Sequence, residues 1–189
     1  MFEPTILSRD LELSTALKAR RATRYFSKKP IEAELLWKLA EAAHRAPTAG
    51  NSPYRRVMLV NDEKVIRVLM QVSPGILGEP SAVLVIYTDM NIVKRNGRLT
   101  EVCATIDAGA AAENVVLKAT ELGLGSCFTK SYSEAAVKEL LAIPADFRTE
   151  VIIQLGYPLG TQPSPVHRKS QGMITESNRF GNRWARDAA

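Results

Sequence analysis

Cysteine and histidine are scarce, two of each in 189 residues. Cys103 and Cys127 cannot build a disulfide framework, and two histidines add too few ligands for a conventional structural zinc site. Aromatic residues make up only 6% of the chain and no nucleic-acid-reading motif is legible, so no nucleic-acid partner is expected. Long apolar runs are missing as well. The longest, Ala82 to Tyr87, falls far short of the roughly 20 residues that cross a bilayer. The opening stretch carries acids early and has no apolar run behind a basic flank, so a secretory signal is not expected. Asn51-Ser52-Pro53 lacks the third-position hydroxyl of a glycosylation acceptor. Together these gaps lead to the expectation of a cytoplasmic protein in a reducing setting, with no membrane partner.

What is present is ordinary globular usage: 46% hydrophobic and 24% charged residues, with 25 Lys+Arg against 20 Asp+Glu for a net charge of +5. One domain over residues 1–189 suits this length, and a domain of about 150–200 residues buries a sizeable core without staples. Leu35, Leu36, Leu39, Ala40 and Ala43 lie on one stripe of a helix over Glu32–His44, which Pro47 ends. Thr48 to Pro53 is a cluster of turn formers. Val57–Val60, Ala82–Tyr87 and Glu150–Leu155 read as strands, and Asp62–Gln71 as a helix broken by Ser73-Pro74-Gly75. The longest helix runs from about Glu101 to Leu122, with Gly123 as its C-terminal stop. Its middle, Asp107 to Glu113, is crowded with small side chains, so either an internal neighbour or a second subunit must approach closely. Ser131 and Glu134 have capping-box spacing for a further helix near Ser133. From Pro163 the pattern decays into proline, polar and aromatic residues, and Phe180 and Trp184 favour a tail that wraps a partner. Incomplete strand-to-helix alternation points to an α+β domain.

The run Lys18 to Lys29 holds six positive charges and no acid. Guanidinium groups match phosphate oxygens bidentately. On a turn of helix, Arg20, Arg21 and Arg24 could present two of them on one side. A solvated basic face is the alternative. There is no GxxxxGK[ST] loop, no complete dinucleotide fingerprint and no GxSxG elbow. Cys127 follows a glycine-rich turn without an identifiable histidine partner, and Cys103 reads as an ordinary buried thiol. Asp107 and Glu113, six apart, share a helix face poorly and read as residues that cap or bridge local structure. Charge clamps without an acid, base or nucleophile suggest that a bound cofactor carries the reaction.

Four segments, in order, carry a resemblance to the FMN-dependent nitroreductase family: Ala19 to Phe26, Ala46 to Ser52, Gly123 to Cys127, and Gly156-Tyr157-Pro158 followed by His167-Arg168-Lys169. The resemblance implies a mostly antiparallel central sheet flanked by helices in an interlocked homodimer, with two FMN sites at the subunit interface. On this analogy Arg20 and Arg21 hold the FMN phosphate, Arg168 reaches in from the tail, and Arg24 lies near the N1/O2 edge of the ring. Ala22 stands where the family usually has Ser, so one phosphate contact is lost. Pro47, Thr48, Ala49, Gly50 and Asn51 match the loop lent by the other subunit. Thr129, Lys130 and Ser131 match the segment whose backbone N–H groups approach flavin N5, and the Gln71–Gly78 loop meets the pyrimidine rim. Residues 101–122 would form the dimer core and 163–189 an extension that embraces the neighbour. The family's Asn-x-Gln-Pro-Trp is replaced here by Asn51-Ser52-Pro53-Tyr54-Arg55, which alters the substrate pocket.

The activity so implied is hydride transfer from NAD(P)H through FMN to a small acceptor such as a nitroaromatic or quinone. Two alternatives stand beside it. One is a flavin-dependent oxidase or dehydrogenase of peptide-like substrates on the same fold, which Ser73-Pro74-Gly75 and Phe180 to Arg183 resemble. The other is a non-catalytic anion- or nucleic-acid-binding domain that uses the same arginines.

Overall fold

The computed structural model describes residues 12–160 and 175–183. Four strands, β1 (Arg55–Val60), β2 (Ala82–Asp89), β3 (Gly125–Thr129) and β4 (Phe147–Gly156), pair antiparallel in the order β1-β2-β4-β3. Around them lie six helices: α1 (Leu13–Ala19), α2 (Ala33–His44), α3 (Glu63–Gln71), α4 (Met90–Arg95), α5 (Arg98–Glu121) and α6 (Glu134–Leu140). The α+β class and the antiparallel sheet flanked by helices follow the sequence-based expectation.

The apolar run of β2 is continuous because both of its faces are covered. Ala82, Leu84 and Ile86 join α2, α5 and β4 in one core, while Val83 and Val85 join α3, α6 and Ile152 in a second. Alternation along a strand sends successive side chains to opposite faces, so a run without polar breaks needs packing on both sides. The register of β2 on β4 shifts at Ile86/Tyr87, where Val151 and Thr149 take successive partners and Glu150 is the extra residue. That bulge turns the carbonyls of Thr149 and Glu150 toward the Lys130 amine, at 3.1 and 2.7 Å.

Helix α5 is the longest element and packs through its smallest residues. Ala104, Ala108, Ala111, Ala112, Val115, Val116 and Ala119 form its buried stripe. Side chains this small let the helix axis come close to α2 and the sheet. The helix stops at Leu122. Gly123 takes φ +72°, its N–H donates to the Thr120 carbonyl, and the Leu124 N–H reaches back to Ala119 at 2.8 Å. These two bonds satisfy the last carbonyls. The other side of α5 leaves Leu99, Val102 and Ile106 exposed.

Two local expectations need correction. Arg20 to Arg24 do not lie on a helix. Helix α1 ends at Ala19, Arg20 turns to ψ 125°, and Arg21 donates to the carbonyls of Lys18 and Arg20. The chain then runs alongside β3, with Ala22 bridging Ser126 in parallel and the Thr23 N–H bonded to the Ser126 carbonyl. The cap of α6 is Ser133, which accepts from Ala136 N–H, while Glu134 accepts from Thr149 N–H. Ser131 sits in the preceding loop and its carbonyl accepts from Gly75.

A third, smaller core gathers Tyr54, Val93 and Ala104. Tyr54 is fully buried and its hydroxyl donates to the Asp107 carboxylate. Burial, with the Asp107 carboxylate adding to it, pushes the phenol up to about 12 from 10.0. The neutral phenol is thus favoured in the fold. The stability it contributes is complete below the unfolded value and is lost as pH rises from about 10 to about 12. Thermal denaturation followed from neutral pH into this range should show a steeper loss for the wild type than for Tyr54→Phe. Parallel curves would contradict the assignment. A second prediction concerns Gly78, which takes φ +81° and where an added Cβ would press into the Arg24 carbonyl oxygen. Gly78→Ala should lower stability by about 2–4 kcal/mol from left-handed strain and overpacking, measured by urea denaturation. A change below about 0.5 kcal/mol, the usual range for a surface substitution, would refute it.

Candidate functional site

Three of the singled-out segments converge at the β3 edge of the sheet. The first is the extended stretch after α1, which carries Arg20 and Arg24. The Arg20 side chain is largely covered, and its Nε lies 3.4 Å from Glu113 of α5. The Arg24 charge acts on Cys127 of β3. Burial pushes the Cys127 thiol up, with the Arg24 charge opposing it. The thiol therefore stays protonated at neutral pH, which removes Cys127 as a ready nucleophile.

The second segment is the end of β3 with its following residues, Thr129, Lys130 and Ser131. The third is the loop after α3, and a single buried side chain fastens it to the second. Gln154 of β4 donates to the Gly75 carbonyl at 3.1 Å and to the Thr129 hydroxyl at 2.7 Å, and accepts from the Leu77 N–H at 3.1 Å. Gly75 also donates to the Ser131 carbonyl at 3.0 Å. Gly75 is so close to this strand end that a Cβ would meet the Thr129 methyl and Ser131 backbone. A buried amide with its partners satisfied holds geometry firmly, because losing any one partner leaves a desolvated polar group. The Lys130 amine is drawn away to the β4 bulge carbonyls and stacks beside the Tyr132 ring. What Lys130 can offer a ligand at this strand end is its backbone, not its charge.

The fourth segment lies apart. Thr48 is extended, and Ala49–Asn51 make a 3-10 turn in which Gly50 (φ +61°) and Asn51 (φ +52°) are both left-handed. The chain then enters β1, at the opposite edge of the sheet from β3. Asp107 of α5 accepts from the Ala49 N–H at 2.7 Å and from the Tyr54 hydroxyl. Arg55 holds the approach to the turn, donating to the Ala46 carbonyl at 2.5 Å and the Pro47 carbonyl at 2.9 Å. Within the chain, Pro47 to Asn51 therefore stand on a different flank from Arg24 and Thr129.

Arg168 and the greater part of 163–189 lie outside the described residues. Of the described tail, residues 176–183 close a short hairpin between Glu176 and Arg183 with Phe180 at its exposed tip. Sequence reasoning missed Gln154, because glutamine within an apolar strand gives no sign of which loop it meets. It also missed Arg55 as a clamp on the end of α2. Asp107 and Glu113 were legible only as bridging carboxylates, and each does bridge. Among the described residues no group of three or more His, Cys, Asp or Glu is placed to hold a metal, and no helix is long and apolar enough to cross a membrane.

The donor set fits a flavin mononucleotide. Guanidinium groups beside Glu113 and β3 match a phosphate and an electron-rich ring edge. The backbone at Thr129–Ser131, where Gly75 approaches closely, lies at the same edge of the sheet.

Comparison with known proteins agrees with this reading. The model of the Nitroreductase family matches residues 17–73 and 69–157. A candidate NADH dehydrogenase/NAD(P)H nitroreductase of Archaeoglobus fulgidus is 30% identical over 145 residues, covering 74% of this chain and 81% of that protein. The structure of an FMN-dependent nitroreductase from Clostridium difficile superposes with a TM-score of 0.75 at 26% identity, over 87% of this chain and 98% of that one. The NADPH:FMN oxidoreductase of Vibrio harveyi, solved with NAD+, shares the fold with a TM-score of 0.78 at 21% identity, over 89% of this chain and 77% of that one. With the family model spanning most of its length, the chain belongs to the nitroreductase family.

Proposed function

We propose that this protein is an FMN-dependent oxidoreductase that takes hydride from NAD(P)H and delivers it to a small acceptor such as a nitroaromatic or a quinone. The observation that carries the reading is the β3 edge, where the stretch bearing Arg20 and Arg24 runs alongside the strand and the Gly75 loop closes on its far end at Thr129–Ser131. Membership of the family, and relatives named for NAD(P)H and FMN, support it. When bound, FMN would supply the redox chemistry that links the nicotinamide to the acceptor.

The chain's own residues bind and orient. Arg20 grips the phosphate through the edge of its fork that Glu113 leaves open, with Arg21 and Arg168 adding charge. Ala22 contributes backbone only. Arg24 places positive charge by the ring edge where electron density rises on reduction, a Coulomb stabilisation strengthened by low dielectric. Thr129, Lys130 and Ser131 present backbone groups toward the reacting edge. No side chain here serves as an obligatory acid or base.

The site is completed by a second copy of the chain. Pro47, Thr48, Ala49, Gly50 and Asn51 stand on the flank away from their own Arg24, where they can meet a partner's ring. The exposed stripe Leu99, Val102 and Ile106 on α5, with Leu13 and Leu17 on the adjacent α1, supplies an apolar surface for a homodimer. Residues 163–189 would extend across that partner.

Titration of the purified protein with FMN, followed by anaerobic NADH or NADPH, tests the reading. Saturable binding and bleaching of the yellow band by a nicotinamide are expected. A protein that binds no FMN, or whose bound flavin neither donor reduces, would contradict it. Arg20→Ala removes one charge-assisted phosphate contact worth about 1.5–3 kcal/mol, so FMN should bind about 10- to 150-fold more weakly. Unchanged affinity would remove Arg20 from the phosphate grip.

A further inference from the structure

We propose that Asp107 is a positioning residue, which through the Ala49 N–H and the Tyr54 hydroxyl sets the turn that one protomer lends to its partner's cofactor. The inference rests on the FMN and homodimer reading above and assigns a residue that the reading does not use.

A turn with two successive left-handed residues, one of them Asn51, does not hold its shape from local preference alone. It needs ties to rigid structure, and here they converge on one residue of α5. The Asp107 carboxylate accepts the Ala49 N–H at 2.7 Å, at the first residue of the turn. The same oxygen accepts the hydroxyl of Tyr54, which is fully buried just past the turn. The Asp107 carbonyl also accepts from Arg55 Nη1 at 3.3 Å, part of the guanidinium that clamps Ala46 and Pro47. One helix position thus fixes the start of the turn, its exit and, through Arg55, its approach. Gly50 and Asn51 remain exposed between these anchors.

Placement on α5 gives Asp107 its reach. Glu113, six residues on and about 9 Å further along the axis, pairs with Arg20 of the opposite half-site. A single helix therefore carries a carboxylate for each half. One orients the guanidinium that serves its own cofactor, and the other orients the turn offered to the neighbour.

Three variants and one mixed dimer test the proposal. Asp107→Ala removes both ties; Asp107→Asn keeps an acceptor of the same size. Ala49→Pro removes only the N–H donor, and the extended Thr48 before it tolerates proline. FMN dissociation constants are measured by fluorescence titration, with circular dichroism as the check on folding. Asp107→Ala and Ala49→Pro should each weaken FMN at least tenfold, and Asp107→Asn should restore affinity to within about threefold of wild type. If Asp107→Ala does not fold, Ala49→Pro decides. Folded variants that bind FMN like wild type overturn the proposal while leaving the function intact. Wild-type protein that binds no FMN overturns the function itself.

The mixed dimer then separates the partner's site from the protomer's own. One chain carries Arg20→Ala and the other Asp107→Ala, isolated through two different tags. If the turn serves the neighbour, one site pairs an intact turn with intact arginines and the dimer binds one FMN at wild-type affinity. If no such site is found, the turn acts within its own protomer and the proposal fails.

Discussion

The close approach of α5 to its surroundings governs the rest of the molecule. Its alanine-rich stripe lets a 24-residue helix lie against α2 and the sheet while its outer side keeps Leu99, Val102 and Ile106 exposed. Larger side chains at Ala108 or Ala111 would move the axis outward, and Asp107 and Glu113 would move with it. Packing and function meet in the same element. The residues that make α5 fit leave little volume for chemistry, and the two carboxylates between them are the groups that reach the candidate site.

The site is assembled from loops, and each loop is held by a side chain rooted in a regular element. Gln154 on β4 holds the Gly75 loop against Thr129, Asp107 on α5 holds the Ala49 turn, and Arg55 on β1 ties down the end of α2. Such anchors reduce the ordering that a ligand would otherwise have to impose. They also explain why polar side chains without a catalytic task stand at these positions, Gln154 fully buried and Asp107 and Arg55 half-buried. The Ala49 turn and the β3 edge stand on different flanks of the chain, which is why the proposed site needs a second copy to complete it.

Much of this was legible in the chain. The stripe over Glu32–His44, the β-rich run at Ala82–Tyr87 and the small-residue helix ending at Gly123 each carried a period or a stop signal that tertiary structure kept. Legibility failed where context decides. Arg20, Arg21 and Arg24 could share a turn of helix by their spacing, yet pairing of Ala22 with Ser126 draws the chain into an extended path after Ala19. Ser131 fitted a capping box, but its carbonyl is engaged by Gly75 and Ser133 caps instead. Strand β3 hid behind glycine, serine and cysteine because it is short and close-packed. Gln154 and Arg55 act across long sequence separations, which no local pattern announces. The arginine cluster itself was visible from the outset, because six positive charges without an acid stand out whatever fold presents them.

The proposed function stands or falls on the arginine cluster gripping the phosphate end of a flavin. The most direct measurement compares the affinity of the cofactor-free wild-type protein for FMN and for riboflavin, which differ only in that phosphate. Loss of two charge-assisted contacts, each about 1.5–3 kcal/mol, should make riboflavin bind at least about 100-fold more weakly. Equal affinity for the two would show that the guanidinium groups do not hold a phosphate, and would contradict the account.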